Sequence, residues 1–199
     1  VDPEGRAIQA LQPWAVVDAI LAKKNLGTNR SMARHTVALG PGFTAGRDVD
    51  AVIETKRGHR LGRIIRDGAA APNTGIPGII AGYGKERVIH SEAAGFVYGL
   101  VRIGDSVKKG QPMAVLTKTL LPDGMAATAA MGLPVPASLT GLVRGLIRDG
   151  YYAPKGFKIA DIDPRESEYH NCFTISDKAR SLGGAVLTAL LWLGRDDLV

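Results

Sequence analysis

Apolar residues in this chain fall in short runs separated by glycine, proline and charge, the pattern of strands joined by tight turns. The first run, Trp14 to Leu21, is almost continuously apolar, and periodicity alone leaves strand and helix both open. Its β-branched Val16, Val17 and Ile20 lean towards strand. Thr36–Leu39 is a second short run, Val49–Thr55 alternates apolar and polar positions, and Leu61–Ile65 is a further candidate strand. Between Asp67 and Gly84 lies a loop rich in glycine and proline, whose Ile76, Ile79 and Ile80 predict that it packs onto something. The chain closes with a clear helix. Ser176 can cap it, Asp177 suits its positive end, and Leu182, Val186, Leu190 and Leu193 form one apolar stripe. Gly194 is placed to end it. Gly183 and Gly184 inside it cost about 1 kcal/mol each against alanine, which predicts close packing against a sheet.

The strongest signal is an internal repeat. Gly95–Leu116 aligns without a gap on Gly141–Ile162, 46 residues later. Gly95/Gly141, Val97/Val143, Gly99/Gly145, Leu100/Leu146, Arg102/Arg148, Gly104/Gly150, Lys109/Lys155 and Gly110/Gly156 are identical pairs. Glycines held in register mark positions of positive φ or close backbone approach. Each copy reads as strand, glycine turn, short segment, Lys-Gly turn, strand. The pair resembles the two halves of a barrel-sandwich hybrid, the architecture of biotinyl and lipoyl carriers. Those carriers hold their cofactor on a lysine in a tight hairpin between the halves. Here Lys118 lacks a flanking methionine, and Asp123–Ala130 looks like an insertion before the second copy. No covalent biotin or lipoate is therefore expected.

Composition narrows the class. The chain has 199 residues, with 25 glycines and 11 prolines, and it is long enough to bury a real core. No apolar run reaches the roughly 18–20 residues of a membrane helix. The single cysteine, Cys172, excludes an internal disulfide and fits a reducing compartment, so a cytoplasmic location is expected. The net charge of +6 favours anionic partners. Nucleic acid is disfavoured, because no helix-turn-helix pattern, zinc-finger spacing or aromatic strip accompanies the charge. The chain opens on Val1 rather than methionine, as a fragment or a processed product would.

Several segments can carry chemistry. Gly40, Gly42, Thr44 and Gly46 lie in one loop whose backbone N–H groups can form a concave nest for an anion, although a tight connection between strands would look the same. Asp48, Asp50 and Glu54 follow at alternate positions; they can bind a metal, act as acid and base, or form an exposed strand face. In the basic stretch Thr55–Arg63, Arg57 and Arg63 can hold phosphate in pairs of hydrogen bonds, and His59 can change charge near neutral pH. Asn73, Thr74 and Gly75 offer an amide, a hydroxyl and a flexible backbone, or simply a turn. No spacing matches a structural zinc site. Cys172 precedes the last helix, whose N-terminus, with Lys178 and Arg180, can activate a thiol; a buried structural cysteine is the plainer alternative.

Six segments also occur in order in one family: Ala19–Thr28, Leu39–Gly46, Arg57–Arg63, Pro72–Gly78, Lys158–Arg165 and Cys172–Arg180. Over essentially its whole length the chain resembles YqeB-type proteins, which accompany selenium-dependent molybdenum hydroxylases as maturation accessories. The resemblance implies that a glycine-rich, nucleotide-binding-like half precedes this region in the family. Residues 1–34 would then be the tail of a Rossmann-like α/β unit, 35–165 a β-rich domain holding the duplicated hybrid, and 166–199 a C-terminal helix packed on it. The expected fold class is mainly β with flanking helices, α+β. The leading functional expectation is a maturation accessory that binds an anionic ligand: the pyranopterin–nucleotide molybdenum cofactor, a nucleotide or selenophosphate. Its protein partners would be the hydroxylase or other maturation proteins, and a homo-oligomer is compatible. Two alternatives stay open: selenium or sulfur transfer through Cys172, and a non-catalytic docking module for the hydroxylase. No complete catalytic constellation is present, so the sequence leaves open whether the chain is an enzyme.

Overall fold

A computed structural model describes residues 2–75 and 78–197, and Ile76 lies outside them. The fold is mainly β, with a long C-terminal helix. The chain divides into two compact units, Val1–Thr74 with Ile175–Val199, and Gly75–Thr174. The break therefore falls after Thr74 and again after Thr174, rather than after residues 34 and 165. β1, before residue 34, pairs with β2, after it, so the two lie in one sheet.

The first unit holds the short helix α1 (Arg6–Leu11) and strands β1 (Ala15–Asp18), β2 (His35–Leu39), β3 (Thr44–Ala45), β4 (Ala51–Ile53), β5 (Ile64–Ile65) and β6 (Gly68–Ala69). Its main sheet has the order β1-β2-β4-β5. β1, β2 and β4 run parallel, and β5 returns antiparallel to β4. The ambiguous Trp14–Leu21 run is thus a strand at its centre. β4 is shorter than the alternating stretch predicted, and all three of its residues are buried because both faces of the sheet are covered. Val37, Leu39, Ala51 and Ile53 point to one side, where Leu182 and Ala189 of α2 (Asp177–Leu193) complete a core. Ala38 and Val52 point to the other, against Phe43, Ala45, Val49 and Ala70.

The helix behaves as its pattern predicts, with one exception. Ser176 Oγ accepts a hydrogen bond from the Ala179 N–H, and Gly194 is the C-terminal cap. Val186, Leu190 and Leu193 join Leu182 against the sheet. Gly183 and Gly184 do not pack closely. Both are exposed, and a Cβ on either would meet nothing within 4 Å. They lie off the buried stripe, so the sheet gives no reason for them.

The second unit contains β7 (Val88–His90), β8 (Gly95–Gly99), β9 (Ser106–Val107), β10 (Pro112–Thr117), β11 (Leu133–Pro136), β12 (Gly141–Leu146), β13 (Tyr151–Ala153) and β14 (Lys158–Asp163). These form two antiparallel sheets, β11-β10-β8-β13 and β7-β14-β12-β9. Val97, Met113, Leu116 and Val135 of one sheet share a core with Ile89, Val143, Ile159 and Ile162 of the other. The short strand of each repeat copy pairs with the long strand of the other: β13 with β8, and β9 with β12. A 3-10 segment, Glu166–Phe173, follows β14. The glycine- and proline-rich loop does not pack through Ile79, which is 78% exposed; Ile80 is half-buried and pairs with Tyr83.

Candidate functional site

Parallel strands bring their carboxyl ends to one edge, and in open parallel sheets that edge is where ligands commonly bind. In the first unit it collects residues from distant parts of the sequence. β1 ends at the buried Asp18, which accepts from the Ile20 N–H (3.1 Å) and the Thr28 hydroxyl (2.6 Å). These bonds shape the turn that carries Lys23 and Lys24. β2 ends at Leu39 and passes into Gly40–Pro41–Gly42, and the Lys24 backbone lies directly on Gly42: a Cβ there would stand 2.5 Å from Lys24 Cα. β4 is followed by Glu54 and Thr55, both buried, and Thr55 packs on Gly40.

Glu54 has no exposed carboxylate to offer. One oxygen accepts from the Lys56 N–H (2.7 Å) and the other from the Ala71 N–H (2.8 Å), the satisfaction that a buried carboxylate requires. After it the chain forms the hairpin that carries Arg57 and His59, closed where Gly62 N–H donates to Glu54 and Glu54 N–H donates to Arg63. Gly62 rests against Ser181 and Ala185 of α2, which places this hairpin beside the start of the helix. There Arg57 donates two hydrogen bonds to Asp177, at 2.7 and 2.9 Å. The paired guanidinium, followed by the Lys178 backbone N–H, holds the Asp177 carboxyl well below the usual carboxylate range.

Lys178 is the anomaly of the edge. A cation in the first turn opposes the helix dipole, whose positive end favours acids. Burial pushes its ammonium pKa down, the charges of Lys23 and Arg57 push it further, and Glu54 only partly compensates. Lys23, Arg57 and Lys178 therefore crowd positive charge at the carboxyl ends of β1, β2 and β4. The arrangement can bind an anion. Among the described residues no group of three or more His, Cys, Asp or Glu side chains could hold a metal ion.

The residues expected from sequence divide. Gly40, Gly42 and Arg57 meet at this edge, and His59 and Arg63 are exposed on the same hairpin. Thr44 and Gly46 lie elsewhere, because the loop crosses the sheet towards the amino end of β4. The Thr44 N–H already donates to Asp48 (2.8 Å), which also takes two bonds from Arg47. Arg47, then the Thr44 N–H, hold the Asp48 carboxyl below its ordinary value. The anion in that half of the loop is the protein's own. Gly46 donates its N–H to Val49 and accepts from Arg30, which also binds Asp50. Asp50 in turn holds the Thr36 N–H and hydroxyl, both at 2.8 Å. Asp48, Asp50 and Glu54 thus do not form one acidic face; each is tied to different backbone groups around a three-residue strand.

Asn73 and Thr74 are exposed, just past Ala71, and Gly75 begins the second unit. Cys172 is half-buried in the Glu166–Phe173 segment, where its thiol donates to the Glu168 carbonyl at 3.8 Å. It belongs to the second unit, whereas Lys178 and Arg180 belong to the first. Sequence reasoning passed over Lys23 and Lys178 as site residues. The available signal was a lysine in the first helical turn, where composition rules favour an acid.

Comparisons with known proteins give one close relative. The chain is 49% identical over 193 residues to the uncharacterized protein YqeB of Escherichia coli strain K12, which supports a YqeB-like family. The match covers 97% of this chain and 33% of that protein, so the chain spans about a third of its relative's length. No family model matches. Among solved structures, an aspartoacylase family protein from Mesorhizobium loti aligns at TM-score 0.32 and 16% identity, covering 51% of this chain and 28% of that one. A succinylglutamate desuccinylase/aspartoacylase from Rhodobacter sphaeroides aligns at TM-score 0.31 and 14% identity, covering 81% and 51%. Scores of this size do not establish a shared fold.

Proposed function

We propose that this chain binds an anionic small molecule at the carboxyl edge of β1, β2 and β4, through Lys23, the Gly40–Gly42 backbone, Arg57 and Lys178. The observation that carries the reading is Lys178, half-buried in a helical first turn beside two other cations. Such like-charge crowding costs stability, and a bound anion would offset it. Four of the six family-like segments, 19–28, 39–46, 57–63 and 172–180, each send a residue to this edge. That coincidence supports the same function as the sequence resemblance: an accessory in maturation of selenium-dependent molybdenum hydroxylases, with the pyranopterin–nucleotide cofactor, a nucleotide or selenophosphate as the anion.

The second unit, on this reading, is the scaffold. We infer that it is a duplicated barrel-sandwich hybrid, and that residues 1–34 are the tail of a Rossmann-like α/β unit. Three features support the duplication. β8 and β12 start 46 residues apart, and β10 and β14 start and end at that same spacing. The backbone crowds the same position in each copy: Gly95 abuts the Thr117 carbonyl and Gly141 the Asp163 carbonyl. The exchange of short strands between copies is two-fold in pattern.

Isothermal titration of the whole chain at low salt with pyrophosphate, a nucleoside triphosphate and selenophosphate tests the site. We expect at least one to bind, with affinity falling in Lys23→Gln/Arg57→Gln and with rising salt. Binding that is indifferent to both substitutions would place the anion elsewhere and refute the reading.

A further inference from the structure

Among the described residues the main sheet of the first unit has the order β1-β2-β4-β5, so β1 is bonded on one side only. We propose that the outer edge of β1, with the adjoining flank of α2, is an interface that takes a β-strand along β1 and an apolar helix over it. Both are supplied by the part of a full-length YqeB-like protein that lies outside the matched third. The proposal does not draw on the anion site, so either can fail without the other. The Trp14 carbonyl accepts from the His35 N–H, and alternation then turns the Val16 and Asp18 N–H groups towards β2 and those of Ala15 and Val17 away from it. Open edges are ordinarily blunted by charge, proline, a bulge or brevity. β5, at the opposite end of the sheet, has two residues and runs antiparallel. β1 reads Ala-Val-Val-Asp, and its one charge, Asp18, is buried and bonded to Ile20 and Thr28. Nothing in β1 blunts its edge.

The cover over the sheet runs out at the same place. Val17 stands in register with Val37 and faces the same side, where α2 lies, yet Val37 is 0% and Val17 36% exposed. A parallel sheet is ordinarily covered on both faces. The two flanks of α2 differ. On one, Ser181 and Ala185 touch Gly62 of the hairpin after β4; on the other, Gly194 touches Trp14 at the head of β1. At about 100° per residue, Gly183 and Leu187 fall within roughly 20° of Gly194 around the helix axis. They therefore look out over β1, where a Cβ on Gly183 would meet nothing and Leu187 is 60% exposed. The distance between packed helices is set by the side chains at their contact, so a glycine on this flank suits a close neighbour and gives Gly183 the reason that the sheet does not. The match covers 33% of the relative, so the family's full-length protein has ample chain to supply both elements. A second copy of this chain would bring together two bodies of net charge +6, which repulsion opposes.

The test compares this chain with full-length Escherichia coli YqeB by hydrogen–deuterium exchange resolved to single amides. In this chain the Ala15 and Val17 amides should exchange at least about tenfold faster than those of Val16 and Asp18. In the full-length relative the four matching amides should be protected alike. Gly183→Leu should leave the melting temperature of this chain unchanged or raise it, because leucine is the better helix former and a Cβ there meets nothing. Made at the matching position of the relative, the same change should lower melting by about 2–8 °C, because the added bulk intrudes on a packed helix. Fast exchange of the outer amides in both proteins would overturn the proposal, as would their protection in this chain at every concentration. Protection in this chain that grows with its concentration would identify a second copy as the occupant and overturn the assignment to the rest of the protein. A Gly183→Leu change that lowers both melting temperatures equally, or neither, would overturn the helical contact.

Discussion

Gly42→Ala and Gly46→Ala form a matched pair, because both glycines sit in one loop at positive φ but only one is crowded. At Gly46 φ is +84° and an added Cβ has nothing within 4 Å, so alanine there costs only its backbone preference, about 1–2 kcal/mol. At Gly42 φ is +111°, and the new methyl would lie 2.5 Å from Lys24 Cα, 2.7 Å from its carbonyl carbon and 2.8 Å from its nitrogen. Backbone cannot swing aside as a side-chain tip can, so overpacking adds about 1–3 kcal/mol. Gly42→Ala should therefore cost about 2–5 kcal/mol, a large part of the roughly 5–15 kcal/mol that holds a domain folded. Urea denaturation followed by tryptophan fluorescence reads this directly, because both tryptophans, Trp14 and Trp192, lie in the first unit. The Lys23–Lys24 turn must also shift, so anion affinity should fall in Gly42→Ala and hold in Gly46→Ala. Equal destabilisation by the two substitutions, within about 0.5 kcal/mol, would refute the contact as described.

Ser176→Ala should cost about 1 kcal/mol in the same denaturation assay, through loss of the bond to the Ala179 N–H; an unchanged midpoint would show the cap to be idle. Asp163 is buried, and burial raises its pKa, but two side-chain bonds from Arg165, its backbone N–H and the charges of Arg165 and Arg87 outweigh that and hold it below normal. A depressed carboxyl stabilises above its unfolded value, about 3.9, and that contribution is lost as pH falls through the folded value. Asp163→Asn should thus destabilise the second unit by about 1–3 kcal/mol at pH 7, with the gap to wild type closing below about pH 4; a gap constant with pH would contradict the assignment. Cys172→Ser should leave anion affinity unchanged in the titration above, since the thiol belongs to the other unit; loss of binding would return the cysteine to the site.

Much of this was legible in the sequence where local chemistry decides the outcome. The turn glycines announce themselves, because few other residues tolerate those backbone positions: Gly104, Gly110, Gly150 and Gly156 all stand at positive φ. Ser176 and the Leu182 stripe likewise follow from rules that act within a few residues. Partnership between distant segments was not legible. Nothing near Tyr151 says that β13 pairs with β8 of the other copy, since that pairing depends on how the two sheets close over Val97 and Val143. The Gly40–Gly46 loop read as one nest, yet its two ends serve opposite edges of the sheet. Alternation put Asp48, Asp50 and Glu54 on one strand, whereas only Ala51–Ile53 is extended and paired.

The interruption of the first unit by the second sets an order of events at the ribosome. Residues 75–174 leave the exit tunnel as one uninterrupted stretch and can fold as soon as they emerge, since among the described residues their sheet partners all lie within the same unit. Val37, Leu39, Ala51 and Ile53 are made much earlier but have no cover until Leu182 and Ala189 arrive, after the second unit has been made. The nascent chain thus carries an uncovered parallel sheet through translation of a hundred residues. Release short of α2 would leave the second unit intact and the first one open.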